Sequence, residues 1–175
     1  VVMTNDPFDE TERNIWLNSY VEDDRFKAAL RIDPLLNGGT DTLRQLQSWG
    51  YDVEDQLDEN MYSEVRRFLN EWVERMGAVY MAVSLPPTFN FPEDSMRANL
   101  IENCVLPVCR EHNIPFAMMI GVKKLINPEL QLAGDSVGKS SIDAVEYLCA
   151  NYPNNKFMVT MLARENQHEL CVAAR

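Results

Sequence analysis

The sequence predicts an α/β fold built on a parallel sheet. Five short apolar runs alternate with longer stretches of helical periodicity. Each run is followed by helical material, and that order favours parallel pairing through crossover helices. The run at 116–120, Phe-Ala-Met-Met-Ile, is apolar on both faces, as in a sheet or barrel wall covered on each side. Two architectures fit: a doubly wound open sheet, or a section of a (β/α)8 barrel. Five strands do not close a barrel, and no Gly-rich phosphate loop follows any strand to favour a nucleotide-binding open sheet.

The elements follow in order. Residues 1–4 form the first run, closed by the turn signal Asn5-Asp6-Pro7. A helix over 9–20 places Trp16 and Tyr20 one turn apart. The second run, 26–32, ends at Asp33-Pro34 and the loop Asn37-Gly38-Gly39, and a short helix covers 42–49. The clearest helix is 62–76, where Val65, Phe68, Leu69, Trp72, Val73 and Met76 recur at three- and four-residue steps. A strand at 79–85 stops at Pro86-Pro87, and a helix over 93–112 is expected to kink at Pro107. The run at 115–121 leads into a polar loop, 123–139. Ser140 or Ser141 then caps a helix reaching about 151. A last strand, 156–162, precedes a helix over 165–175.

The 175 residues carry 27 acidic and 16 Lys or Arg side chains, a formal net charge of -11. Residues 1–76 hold 17 of the acids against 8 bases, so the excess lies early. Such a surface repels phosphate backbones and anionic lipid, so neither nucleic acid nor membrane is expected as a partner. No apolar stretch reaches the roughly 20 residues of a membrane helix, and no signal-peptide pattern opens the chain. Cys104, Cys109, Cys149 and Cys171 form no Cys-x-x-Cys pair and read as buried free thiols in a reducing cytoplasm. The chain opens on Val1-Val2-Met3, and residues 169–175 stop inside a helical pattern, so an internal piece of a longer protein is expected.

In either architecture a ligand site gathers at the C-terminal strand ends. These positions hold Asn5 and Asp6, Arg31 and Asp33, Ser84, Lys123 and Lys124, and Arg164 with Asn166. Three of the five ends carry a cation, which points to an anionic substrate. Arg31 is the most informative, because a guanidinium fork grips a carboxylate through two hydrogen bonds, as a lysine cannot. Its alternative is a structural ion pair with Asp33 or another strand-end acid. Asn5 and Asp6 can reach a ligand, but on spacing they read first as helix-start chemistry, and a solvated loop charge accounts for at least one of Lys123 and Lys124. The only histidines, His112 and His168, have no partner at metal-ligand spacing, and no Gly-x-Ser-x-Gly elbow is present.

Residues 1–9 (Val-Val-Met-Thr-Asn-Asp-Pro-Phe-Asp), 28–34 (Ala-Ala-Leu-Arg-Ile-Asp-Pro) and 116–124 (Phe-Ala-Met-Met-Ile-Gly-Val-Lys-Lys) resemble the uronate, or glucuronate, isomerases. The resemblance extends through Gly134-Asp135 and Glu165-Asn166-Gln167 and is nearest the bacillus-type branch of this amidohydrolase-superfamily family. It implies that residues 1–175 are the central part of a single metal-dependent (β/α)8 TIM-type barrel domain, about strands two to six with their helices. It also implies interconversion of D-glucuronate with D-fructuronate, and of D-galacturonate with D-tagaturonate, by proton transfer between C2 and C1. The small-molecule partner is then a sugar acid, and a homo-oligomer is allowed.

The family's arginine at the position of Arg31 holds the substrate carboxylate. Lys124 stands where many members carry an arginine, which makes it a substrate-binding candidate with Asn5 and Asp6. Many members have a histidine where this chain has Met119, and the strand at 80–85 lacks the polar residues common in the main branch. The family's divalent metal, commonly zinc, takes its ligands from strands outside this chain, so no metal ligand and no catalytic base is assigned here. The fragment alone is expected to be inactive. The alternatives are another amidohydrolase-like hydrolase of a carboxylated substrate, or a non-catalytic fragment.

Overall fold

The first turn of α1 (Glu10–Asn18) shows how local chemistry sets the elements. Asp9 caps it by accepting the backbone N–H groups of Thr11 and Glu12, both at 2.9 Å. Glu10 and Glu12 lie where the helix dipole favours negative charge. The computed structural model describes residues 1–174, apart from the side chain of Leu132. Arg175, expected at the end of the last helix, lies outside the described residues.

Strands β1 (Val2–Asn5), β2 (Lys27–Arg31), β3 (Met81–Leu85) and β4 (Phe116–Ile120) are each followed by helical segments. Beyond β4 come a two-strand excursion, β5 (Val122–Lys123) with β6 (Ser136–Val137), and then β7 (Phe157–Met161). The main sheet has the order β1-β2-β3-β4-β7, and every neighbouring pair is parallel. This is the sheet of a partial (β/α)8 barrel, with β1 and β7 at its open edges.

Helix α4 (Glu59–Met76) is the main buttress. Asp58 accepts the Met61 N–H at 2.9 Å to start it, and Gly77 at φ 55° ends it in the left-handed conformation that glycine adopts without a Cβ penalty. Its apolar stripe is buried as the three- and four-residue spacing predicts. Phe68 lies at the centre, with ring centroids of Phe8 at 5.2 Å and Tyr51 at 5.4 Å.

The helix expected over 93–112 is divided. It begins at Met96, after the Ser95 cap, as α5 (Met96–Leu100), widens into a π-helical turn at Ile101–Val105, and resumes as α6 (Leu106–Glu111). Pro107 has no N–H to give to the Asn103 carbonyl one turn earlier. Arg66, on α4, fills that gap: its Nη1 donates to the Asn103 carbonyl at 2.9 Å.

The structure corrects several sequence expectations. Asp33-Pro34 does not merely end a strand but opens a short helix, α2 (Asp33–Asn37), in which proline occupies a first-turn position where its missing N–H costs nothing. Helix α3 (Thr40–Ser48) begins two residues early. The polar loop 123–139 contains the β5–β6 hairpin and the 3-10 segment Pro128–Gly134. Gly121, at φ 112°, makes the exit from β4; a Cβ there would meet the Gly138 carbonyl at 2.8 Å. Helix α7 (Asp143–Asn151) starts after Ser141, whose Oγ accepts the Asp143 N–H at 3.1 Å. Last comes α8 (Gln167–Ala173). Cys104 and Cys109 are buried, with burial pushing both thiols up to about 12, whereas Cys149 and Cys171 are exposed.

The two faces of the sheet differ. Leu30, Met81, Leu85, Phe116 and Ile120 are buried on the side covered by helices. The alternate positions turn to the other side, as strand periodicity requires. There Met119 is 40% exposed, so β4 is covered on one face among the described residues and not on both.

Candidate functional site

The uncovered face of the sheet holds a cavity of about 300 Å³ whose lining includes Thr4, Arg31, Tyr80, Ser84, Met119 and Thr160. Most come from the inward-facing register positions: Arg31 is paired with Ala82, and Ser84, Met119 and Thr160 stand side by side on β3, β4 and β7. The mouth is therefore made by the C-terminal ends of β2, β3, β4 and β7, where barrel enzymes place their chemistry. The cavity offers one cation, several hydroxyls and thioether surface.

Arg31 ends β2 with its side chain 39% exposed. Its Nε donates to Asp33 Oδ2 at 3.0 Å and its Nη2 to Asp33 Oδ1 at 3.2 Å. These bonds hold the guanidinium further above its usual proton affinity. Lys124 reaches the same carboxylate, Nζ to Oδ1 at 3.4 Å. Asp33, in the first turn of α2, also lines the cavity, and its side chain is 7% exposed. Two basic groups thus converge on one buried carboxylate, and the ensemble keeps one net positive charge.

Lys124 lines a neighbouring cavity of about 240 Å³ with Asn37, Ser84 and Arg97. Asn5 does not line the main cavity; its Nδ2 donates to Glu12 Oε2 at 3.3 Å on the α1 side. Asp6 accepts the Phe8 N–H at 2.9 Å, the turn chemistry expected from the sequence. Lys123 lies in the β5–β6 hairpin and Arg164 is exposed. Asn166 is fully buried, exchanging hydrogen bonds with the Ser140 backbone at 3.0 and 2.8 Å. His112 Nε2 pairs with Asn70 Oδ1 at 2.8 Å, and His168 is exposed on α8. The strand-end rule passed over Thr4, Tyr80 and Thr160; counting alternate residues back from Ser84 and Arg164 would have found the last two, whereas nothing in β1 marks its inward face.

Burial raises the Asp6 carboxyl to about 6, against the Phe8 N–H bond and the nearby Arg31, which lower it. A carboxyl whose affinity for its proton rises on folding contributes stability present below its unfolded pKa of about 4 and lost as the pH climbs through 6. Asp6→Asn keeps the acceptor for Phe8 and removes the buried charge. It is expected to stabilise the protein at pH 7.5 by about 1 kcal/mol, a figure reduced for solvent screening, and to change nothing at pH 4. Denaturant midpoints at the two pH values check this; a gain of equal size at pH 4 would contradict it.

Among the described residues, no three His, Cys, Asp or Glu side chains converge on a place that could hold a metal ion. The cavity's donors do not suit a divalent cation either, since Asp33 is already neutralised by two basic groups. No helix among the described residues is long and apolar enough to cross a membrane.

Parallel strands, crossover helices and a cavity at the strand ends that offers a cation and hydroxyls define a section of a (β/α) barrel. Among solved structures, the chain is 62% identical to a uronate isomerase of Bacillus halodurans, with a TM-score of 0.97 over 99% of this chain and 41% of that one. By sequence and fold together, the chain is a relative of the uronate isomerases. A uronate isomerase of Thermotoga maritima (TM-score 0.76, 14% identity, 100% of this chain and 46% of that one) shares the fold. So does a glucuronate isomerase of Caulobacter crescentus (TM-score 0.66, 13% identity, 95% and 42%). The chain thus spans less than half the length of each of these proteins. No protein-family model and no curated protein sequence matches it.

Proposed function

We propose that this chain is the central part of a uronate isomerase that interconverts D-glucuronate and D-fructuronate, and D-galacturonate and D-tagaturonate. The observation that carries the proposal is Arg31: an arginine with part of its fork free, at the mouth of a cavity lined by Thr4, Ser84 and Thr160 hydroxyls. A sugar acid has the matching chemistry, with one carboxylate and a chain of hydroxyls. The 62% identity to the Bacillus halodurans enzyme supports the same substrate class.

In this proposal Arg31 grips the C6 carboxylate and so fixes the distance to the reacting C1 and C2 carbons at the other end. Holding a flexible open-chain substrate in register lowers the barrier by removing orientational freedom before the proton moves. Lys124 strengthens the local positive field. Met119 and Met158 give the carbon chain an apolar, polarisable wall. The divalent metal, zinc, and the groups that move the proton are held by residues outside this chain. The enzyme works in the cytoplasm, where its thiols stay reduced, and binds neither nucleic acid nor membrane.

The test is to give the complete enzyme D-glucuronate deuterated at C2 and follow ketose formation, with and without a chelator. An isomerase produces D-fructuronate with the label moved to C1 or exchanged with solvent, and loses activity on chelation. A folded, metal-loaded enzyme that forms no ketose would contradict the proposal; hydrolysis of a carboxylated substrate would favour the hydrolase alternative.

A further inference from the structure

The Arg31–Asp33 contact has two readings, a structural ion pair or a functional arginine, and the geometry removes the conflict between them. Asp33 binds the guanidinium side-on, through Nε and Nη2. That leaves three guanidinium hydrogens, two on Nη1 and one on Nη2, without a partner among the described residues. Two of them, one on each Nη, form the outer edge of the fork, which suits a second carboxylate approaching end-on. Asp33 is itself fixed, because it lies in the first turn of α2 beside Pro34 and is nearly closed to solvent.

A side-on partner alone would leave the arginine pair with no net charge and little attraction for an anion. Lys124 changes this. It arrives from the segment after β4 and bonds the same carboxylate, so Arg31, Asp33 and Lys124 together carry one positive charge. Two other acids face this group: Asp6, electrostatically coupled to Arg31 and Asp33, and Glu12, coupled to Arg31.

We propose that Asp33 is a positioning residue that acts through Arg31, presenting the outer edge of its guanidinium to the substrate carboxylate while Lys124 keeps the assembly cationic. This rests on the reading of Arg31 as the carboxylate grip. Asp33 does not touch substrate. Its contribution is to remove the rotamer freedom that a long, half-exposed arginine would otherwise lose on binding.

The test is a double-mutant cycle in the complete enzyme, comparing Asp33→Asn, Asp33→Glu, Arg31→Lys and the two double variants. Asp33→Glu keeps the charge and an ion pair but moves the carboxylate by one methylene. Both Asp33 variants are expected to lower kcat/KM for D-glucuronate about 10-fold, the scale of one charge-assisted contact, chiefly through KM. In the Arg31→Lys background, the same substitutions are expected to change it less than 3-fold. A purely structural role predicts equal losses in both backgrounds, and that result, or an unchanged kcat/KM in both Asp33 variants, would overturn the proposal. Should Asp33→Asn fail to fold, the Asp33→Glu cycle decides alone. An enzyme inactive on uronates would count against the proposed function, and D-glucuronate binding by calorimetry would then read the same cycle. Weakening by Asp33→Glu only where Arg31 is intact supports the positioning role; no weakening rejects it.

Discussion

Arg31→Ala is expected to lower kcat/KM for D-glucuronate about 10³-fold in the complete enzyme, and Arg31→Lys about 10²-fold. Removing one partner of a desolvated, hydrogen-bonded charge pair costs about 2–5 kcal/mol, and each 1.4 kcal/mol is a factor of ten. Lysine restores the charge but not the planar fork, so its loss measures geometry, and the further loss in alanine measures charge. The effect should depend on the substrate. With a sugar that carries a hydroxyl in place of the carboxylate, wild type and Arg31→Ala are expected to differ less than about 3-fold, because the outer edge of the fork then has no anion to hold. Steady-state kinetics with both substrates check this. Equal losses on both would show that the substitution damages the site generally. The melting midpoint of Arg31→Lys serves as a control, since Asp33 keeps Lys124 as a partner.

Phe68→Ala is expected to be the most destabilising single truncation in the helix layer. Phe68 is fully buried and surrounded by the rings of Phe8, Trp49, Tyr51 and Trp72, with centroids at 5.2 to 6.4 Å. Removing a buried phenyl ring costs about 3–5 kcal/mol through lost transfer free energy and the cavity left behind. These aromatic neighbours, held on α4, in the loop between α3 and α4 and just ahead of α1, collapse poorly into such a gap, so the upper part of that range applies. That is a large share of a typical folding free energy of about 5–15 kcal/mol. A fall of about 10 °C in the melting midpoint is expected. Phe68→Leu, which refills most of the volume, should recover over half of the loss. A shift under about 3 °C for Phe68→Ala would mean that this cluster does not hold α4 against the sheet.

The elements legible in the sequence are those where one local rule dominates. The buried stripe of α4 follows directly from its three- and four-residue spacing, and the five runs that pair as a parallel sheet are the five apolar ones. The short elements were less legible because they depend on neighbours. Helix α2 hides behind Asp33-Pro34, a pair that also signals a stop. The β5–β6 hairpin has two residues per strand and no apolar run to announce it. The π-helical turn before Pro107 needs Arg66, distant in sequence, to satisfy the Asn103 carbonyl.

At the site, position and charge singled out Arg31, Asp33 and Ser84, all of which line the cavity. They could not show that Lys124 would reach Asp33 across 91 residues of chain. Nor could they separate Asn5, which turns toward α1, from Thr4, which lines the cavity one residue earlier. A single step along a strand reverses the face, and four apolar or small residues do not reveal which face is inward.

The most direct test of the account is a crystal structure of the complete enzyme with D-glucuronate or a non-reacting analogue bound. The account predicts the C6 carboxylate end-on against Nη1 and Nη2 of Arg31, with N–O distances of about 2.7–2.9 Å. Asp33 should still bind the Nε side. A carboxylate held elsewhere, with the outer edge of Arg31 left to solvent, would contradict it.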